Sequence, residues 1–145
     1  MGEQAARERE ARAHLQKAQE EEKAPIKSKS IARAPDKHFY PIVTINGKTL
    51  PMVADTGATN IALSRQDAYA IGIDVQNLRY TQETITANGV VRVAPVLLRE
   101  ISVEGFVLRN VTGDCCTDGE SLLGMSALGQ LKVQLDGEWM HITAR

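Results

Sequence analysis

The chain has 145 residues, of which 43% are apolar and 24% are charged, so it can bury the core of one globular domain. Its 17 basic and 18 acidic side chains nearly cancel, which argues against a nucleic-acid-binding surface and against a polybasic membrane patch. No apolar run approaches the roughly 18 to 20 residues that span a bilayer, and no apolar signal-peptide centre is present near the N-terminus. These patterns predict a soluble chain that binds no nucleic acid.

Residues 1–35 differ in composition from the rest of the chain. They contain eight Lys or Arg and six Asp or Glu residues, and almost no large apolar ones. Helix propensity is high there, but no apolar stripe could be buried, and Pro25 and Pro35 interrupt the segment. We expect a charged, helical or disordered stalk and linker over 1–35, with a coiled coil as the alternative, and a folded domain over 36–145.

The folded part is predicted to consist of short strands that form hairpins. Runs rich in β-branched residues alternate with turn dipeptides, a pattern typical of antiparallel sheets. Four such turns divide the runs, at Asn46-Gly47, Asn88-Gly89, Glu104-Gly105 and Asp136-Gly137. Six or more strands within about 110 residues predict an all-β domain.

Two local signals refine this expectation. Ser64 and Asp67 form a capping pair in front of a short helix, which Gly72 would end. Pro51 lies within a predicted strand, where its missing N–H argues for an edge position or a bulge. A second short helix is expected after Gly124.

The tripeptide Asp55-Thr56-Gly57 follows an apolar strand directly. All three residue types favour turns, so a plain turn is the structural alternative. An ionised carboxylate beside a buried strand is costly, however, and this suggests that Asp55 has a function.

Three segments together resemble the retropepsin-like aspartic proteases of clan AA, and most closely the small bacterial family with one such domain per chain. They are the turn from Asp55 to Ala58, the hairpin tip from Thr86 to Gly89, and the run from Leu122 to Gly124. The light pair Val53-Ala54 departs from the bulkier residues usual in the family. The resemblance implies an acid-protease half-barrel with one or two short helices, active as a two-fold homodimer.

The resemblance also implies a mechanism. Peptide hydrolysis without a metal or a nucleophilic side chain needs a base for water and an acid for the carbonyl oxygen, and two carboxylates that share a proton supply both. Because the chain has a single DTG, the second Asp55 would come from a second subunit. Thr56 would reach across the two-fold axis, and Gly57 would bring its amide close to the carboxylate. No cofactor and no metal are implied.

The other family residues are expected to bind substrate or to support the site. An extended peptide would bind like an added strand under a flap, although a plain surface hairpin is the alternative. The expected substrate-binding residues are Ala58, Thr86, Ala87, Asn88, Gly89 and Val90. Leu122, Leu123 and Gly124 are expected to pack beneath the turn. Relatives with Ser in place of Ala58 can donate a hydrogen bond that stabilises the charged carboxylate. Ala58 cannot donate one, so we expect the pair of carboxylates to lose its charge at higher pH and this chain to work nearer neutral pH.

The sequence leaves two other functions as alternatives. One is a catalytically weak or silent dimer that only binds peptides. The other is a cysteine hydrolase that uses Cys115 or Cys116 with His141, but the acidic neighbours of the thiols disfavour a thiolate. A zinc site that joins the two cysteines to His38 or His141 lacks a suitable ligand spacing. Two free or partly buried thiols are therefore expected.

The expected location follows from the resemblance alone. Bacterial members of the family commonly face the periplasm and are held at the inner membrane by a spanning segment before a charged stalk. Residues 1–35 resemble such a stalk without the spanning segment, so we expect either a soluble member of the family or a protein whose anchor is missing from this sequence.

Overall fold

The computed structural model describes residues 28–145, which fold into ten strands and two short helices. In chain order these are β1 (Ser28–Ala32), β2 (Ile42–Ile45), β3 (Lys48–Ala54), β4 (Ile61–Ser64), α1 (Arg65–Ala70), β5 (Gln82–Thr86), β6 (Gly89–Val103), β7 (Phe106–Thr117), β8 (Ser121–Leu123), α2 (Met125–Leu128), β9 (Leu131–Asp136) and β10 (Trp139–Ala144). The expected all-β class with two short helices is confirmed.

Seven strands form the main sheet in the order β2-β3-β8-β4-β7-β6-β5, and an additional pairing of β2 with β6 closes it into a barrel. The short strand β8 lies between β3, to which it is parallel, and β4, to which it is antiparallel. Apolar side chains from several strands fill the barrel, and the largest fully buried ones include Ile45, Met52, Ile61, Leu63, Ile101 and Leu123. This architecture agrees with the expected retropepsin-like half-barrel.

The second sheet has three strands in the order β1-β10-β9. Residues 28–32, which were expected in the linker, instead form β1 and pair antiparallel with β10, from Ser28 opposite Thr143 to Ala32 opposite Trp139. Only the distant β10 supplies a partner for this polar segment, so no local pattern indicated the strand. The expected stalk over residues 1–27 lies outside the described residues.

The local turn and helix signals are largely confirmed. Ser64 caps α1, because its hydroxyl accepts a hydrogen bond from the Asp67 N–H at 3.1 Å. Asn46 and Gly47 have φ values of 51° and 77°, which suits a tight two-residue hairpin turn. Pro51 pairs with β2 on one side only, since β8 begins to pair with β3 at the next residue.

Within residues 28–145, neither helix has the length and apolarity that crossing a membrane requires.

Candidate active site

The turn that begins with Asp55 leaves the end of β3. Backbone hydrogen bonds fix its start, because the Asp55 N–H donates to the Leu123 carbonyl at 3.0 Å and the Ala58 N–H donates back to the Asp55 carbonyl at 3.2 Å. The Gly57 N–H donates to the Asp55 carboxylate oxygen Oδ1 at 2.9 Å. The carboxylate is half-buried and aimed by the backbone that follows it, while Thr56 is exposed.

Strand β8 supports this turn from below. Val53 pairs with Leu122 and Ala54 with Leu123, so β8 runs parallel to the last residues of β3. Leu123 is fully buried, whereas Leu122 is half-buried. The structure therefore places both leucines beside the turn.

Gly124 is needed because another backbone segment passes close to it. A Cβ at this position would lie 2.8 Å from the Ala58 carbonyl oxygen and closer still to that of Asn60. The next residue, Met125, donates its N–H to the same Ala58 carbonyl at 2.8 Å. The chain after Asp55 thus runs directly over Gly124.

Ser126 also holds this segment, although no sequence pattern indicated it. Its backbone N–H donates to the Thr59 carbonyl at 2.8 Å, and its hydroxyl accepts from the Ile61 N–H at 2.9 Å. The same hydroxyl donates to the Thr112 carbonyl at 2.7 Å. No local sequence pattern indicates these hydrogen bonds, because they form only when α2 packs against the segment that follows Asp55 and against β7.

The hairpin of β5 and the start of β6 is the one expected to act as a flap, and we call it the flap hairpin. Thr86 pairs with Gly89, so the two loop residues of the hairpin are Ala87 and Asn88. The loop thus lies one residue earlier than the expected Asn88-Gly89 pair. The Thr86 hydroxyl explains this turn, because it accepts from the Asn88 N–H at 3.2 Å and donates to the Gly89 carbonyl at 3.0 Å. At the tip, the Asn88 side-chain amide donates to the Asp118 carboxylate at 3.3 Å.

The turn and the flap hairpin line one cleft with a volume of about 1060 Å³. Of the residues expected in the site, Asp55, Gly57, Ala58, Thr86, Ala87, Asn88, Val90 and Leu122 line it. Thr56, Gly89, Leu123 and Gly124 belong to the same segments but do not form its wall. The structure thus brings together segments that are far apart in sequence. Asp55 and Leu122, for example, are separated by 67 positions.

The cleft also contains acidic residues that were not expected in it. Its lining includes Glu83, Asp114, Asp118 and Glu120. The last three were noted in the sequence only as neighbours of the cysteines. Their position in the wall follows from the pairing of β7 with β4 and of β8 with β3, which brings the 114–122 segment alongside the turn.

The expectation of two free thiols is wrong, because the sulfurs of Cys115 and Cys116 are bonded to each other. Consecutive strand residues normally face opposite sides of a sheet. Here the register between β4 and β7 shifts, so that Leu63 pairs with Cys115 while Ser64 pairs with Thr117, and the bulge at Cys116 leaves both cysteine side chains buried. The structure does not bring them to His141, which lies on β10 in the other sheet and contacts the Ser30 hydroxyl at 2.7 Å.

One pair of side chains, Asp36 and Tyr40, has shifted pKa values. The pKa of Tyr40 is raised to about 12, chiefly because its hydroxyl donates to the Asp36 carboxylate, and the charge of Glu120 contributes slightly. The pKa of Asp36 is lowered by the same hydrogen bond and by a second one from the His38 N–H. The hydrogen bond to a negative partner thus opposes the ionisation of Tyr40.

Two relatives resemble about two thirds of the chain. The chain is 43% identical over 99 residues to the "Uncharacterized protein in cobV 5'region" of Sinorhizobium sp and 38% identical over 104 residues to the "Uncharacterized protein RP867" of Rickettsia prowazekii (strain Madrid E). These matches cover 66% and 70% of the chain. They span 42% and 45% of the two relatives, so the chain corresponds to less than half the length of each.

A solved structure and a family model agree on the type of fold. The fold is similar to the crystal structure of a retropepsin-like aspartic protease from Rickettsia conorii, with a TM-score of 0.73 and 34% identity over 81% of this chain and 90% of that chain. Residues 42–130 match the family described as "gag-polyprotein putative aspartyl protease". The matched range contains the turn at Asp55, the flap hairpin and the supporting run at Leu122. The chain therefore belongs to this gag-polyprotein aspartyl protease family and has its retropepsin-like fold.

Proposed function

We propose that two copies of this chain form an aspartic endopeptidase that cleaves peptide bonds with activated water. The observation that carries the proposal is the position of Asp55, which lines a cleft beside a flap-like hairpin while the Gly57 N–H contacts its carboxylate at 2.9 Å. A carboxylate in such a cleft can act as a general base toward water.

The second carboxylate would be Asp55 of a second subunit. Like charges a few ångströms apart do not both ionise, so the two groups would hold one proton between them and titrate as a pair. The ionised member removes a proton from water, and the protonated member donates one to the carbonyl oxygen of the peptide bond. A two-fold axis through the turn supplies this arrangement from a chain with a single DTG, and Thr56 would contact the opposite turn across that axis.

The substrate would be an extended segment of polypeptide. Backbone groups of the flap hairpin and of the turn would pair with it as with an added strand, while alternate side chains enter the cleft. Ala58 would contact the peptide on the side of the turn. The opposite side of the peptide would be covered by the flap hairpin residues Thr86, Ala87, Asn88, Gly89 and Val90. The periplasmic location expected from the resemblance stays a prediction.

The test combines activity with the mass of the protein in solution. Wild type and Asp55→Asn are incubated with casein across a range of protein concentrations, with and without a statine inhibitor, and the mass is measured under the same conditions. We expect the wild type to cleave casein in proportion to its dimer fraction, and Asp55→Asn to fold and dimerise but lose at least about a hundredfold in rate.

Asp74→Asn is the matched control. This exposed carboxylate accepts a hydrogen bond from Asn77 at 2.6 Å and does not line the cleft, so its loss should leave cleavage unchanged. Cleavage by Asp55→Asn at the wild-type rate, or by monomers alone, would contradict the proposal. Peptide binding without cleavage by the wild type would instead support a non-catalytic binding dimer.

A further inference from the structure

The charged side chains that line the cleft are all acidic within residues 28–145. Besides Asp55, they are Glu83, Asp114, Asp118 and Glu120, and this part of the chain contributes no Lys, Arg or His to the lining. Arg92 lies 3.9 Å from the Glu83 carboxylate, whereas the other three wall carboxylates form no ion pair within residues 28–145. Within the same residues, no group of three or more His, Cys, Asp or Glu side chains is arranged to hold a metal ion. The acidic side chains of the cleft are therefore not explained as metal ligands. In a two-fold dimer each of these charges occurs twice.

Glu120 lies next to the apolar part of the cleft wall. Glu120 lies in the bend immediately before β8, and Leu122 lies within β8. Both line the cleft, whereas Ser121 between them is buried. Two residues of chain span at most about 7 Å. An apolar surface and an exposed carboxylate thus lie within the reach of one long side chain.

The flap adds apolar surface on the opposite side. Ile85 and Val90 pair across the hairpin and are 85% and 65% exposed, and both line the cleft. Lysine and arginine side chains bury their methylene stems against apolar surface and leave the charged group in a polar environment. A basic side chain in the cleft could therefore contact the apolar residues with its stem and a wall carboxylate with its charge.

We infer that the cleft selects peptides that carry Lys or Arg near the cleaved bond, with Glu120 and Asp118 as the specificity-determining residues. This inference rests on the proposed function, since it concerns the substrate of the same site. Asp118 is held at the flap tip by the Asn88 amide at 3.3 Å, so its charge is positioned where the flap meets the wall. The side-chain oxygens of Glu120 make no hydrogen bond among residues 28–145 and are available to a ligand.

The test uses sets of three peptides that differ at one position. Lysine, norleucine or glutamate is placed in turn at each position around the cleaved bond, because norleucine keeps a similar apolar stem and lacks the charge. Cleavage by the wild type is measured as kcat/KM, and binding is measured separately with Asp55→Asn, which retains the acidic wall. We expect lysine to be preferred over norleucine, and norleucine over glutamate, at one or more positions.

Variants of the wall identify the cause of the preference. Glu120→Gln and Asp118→Asn are each expected to lower the ratio of lysine to norleucine peptides by about two- to fivefold, as is typical for an exposed ion pair. The preference should also weaken at high salt, where the charges are screened. Glu100→Gln is the control, because that carboxylate pairs with Arg109 at 2.9 Å and lies outside the cleft.

The outcomes separate this inference from the proposed function. Cleavage with no preference for lysine, or with a preference that both wall variants leave intact, overturns the inference while the protease activity stands. Binding of lysine peptides that depends on Glu120, with no cleavage by the wild type, supports the inference and overturns the proposed function. Absence of both cleavage and binding overturns both.

Discussion

The Gly57 N–H donates a hydrogen bond to the Asp55 carboxylate oxygen Oδ1 at 2.9 Å. This hydrogen bond fixes the direction of the carboxylate. Any side chain at position 57 would approach the same oxygen, since a Cβ there would lie 3.2 Å from it. This contact links the glycine of the DTG turn to the chemistry of the acid.

The variant Gly57→Ala should therefore lose activity more than stability. The carboxylate has to move by a few tenths of an ångström, and misplacement of a reacting group can lower the rate by about ten- to a hundredfold. Because Gly57 is exposed, the free energy of unfolding should change by about 1 kcal/mol or less. Peptide cleavage and urea unfolding measure the two effects.

Gly137→Ala is the matched control for this variant. Gly137 lies in the turn between β9 and β10 at a φ of 52°, and a Cβ there would meet nothing within 4 Å. Its substitution should lower stability by about 1 kcal/mol and leave cleavage unchanged. Equal activity of Gly57→Ala and wild type would show that the close approach to Asp55 is unimportant.

The variant Gly124→Ala should unfold more easily. Its Cβ would lie 2.8 Å from the Ala58 carbonyl oxygen and press on the backbone at Asn60. This backbone cannot easily move away, because hydrogen bonds from Met125 and Ser126 hold it. Overpacking of this kind costs about 3 kcal/mol, and the displaced segment leads back to Asp55, so cleavage should fall as well. An unchanged midpoint of urea unfolding would disprove the prediction.

The Asp36–Tyr40 pair should be visible in an alkaline titration. The pKa of Tyr40 is raised from 10.0 to about 12, so the stabilisation from this pair is complete below pH 10.0 and is lost as the pH rises toward about 12. The pKa of Asp36 is lowered from 3.8, so at the acid end the stabilisation is present above that value and is lost as the pH falls further.

Tyrosinate absorbance measures the alkaline part. Tyr40 should ionise near pH 12 in the wild type, and the same component should move toward pH 10.0 in Asp36→Asn, where the negative partner is absent. The component should be missing in Tyr40→Phe. A Tyr40 titration that is the same in wild type and Asp36→Asn would contradict the assigned cause.

The variant Ala58→Ser should move the pH profile of cleavage to lower pH. A serine hydroxyl can donate a hydrogen bond toward the Asp55 carboxylate and favour its charged form, so the base remains available in more acidic solution. Ala58 lines the cleft and has no such donor. The measurement is kcat/KM against pH, with Ala58→Gly as a variant that adds no donor; a profile that does not move would reject the idea.

Several elements of the fold and the site could be predicted from short stretches of sequence. The turn after β3, the hairpin at Asn46-Gly47 and the capped helix α1 depend on residues within a few positions of one another, whose φ values and hydrogen bonds are set locally. The turn of the flap hairpin was predicted less well. The hydrogen bonds of Thr86 place its two loop residues at Ala87-Asn88, one residue before the expected Asn88-Gly89.

The sequence by itself thus determined that an acidic turn leaves a buried strand in an all-β domain with a flap-like hairpin. Only the tertiary structure decided that β1 joins β10, that Cys115 and Cys116 are bonded, and that Glu120 and Asp118 line the cleft. The physical reason is that turns depend on neighbouring residues, whereas strand pairing between distant segments depends on how the whole chain buries its apolar side chains.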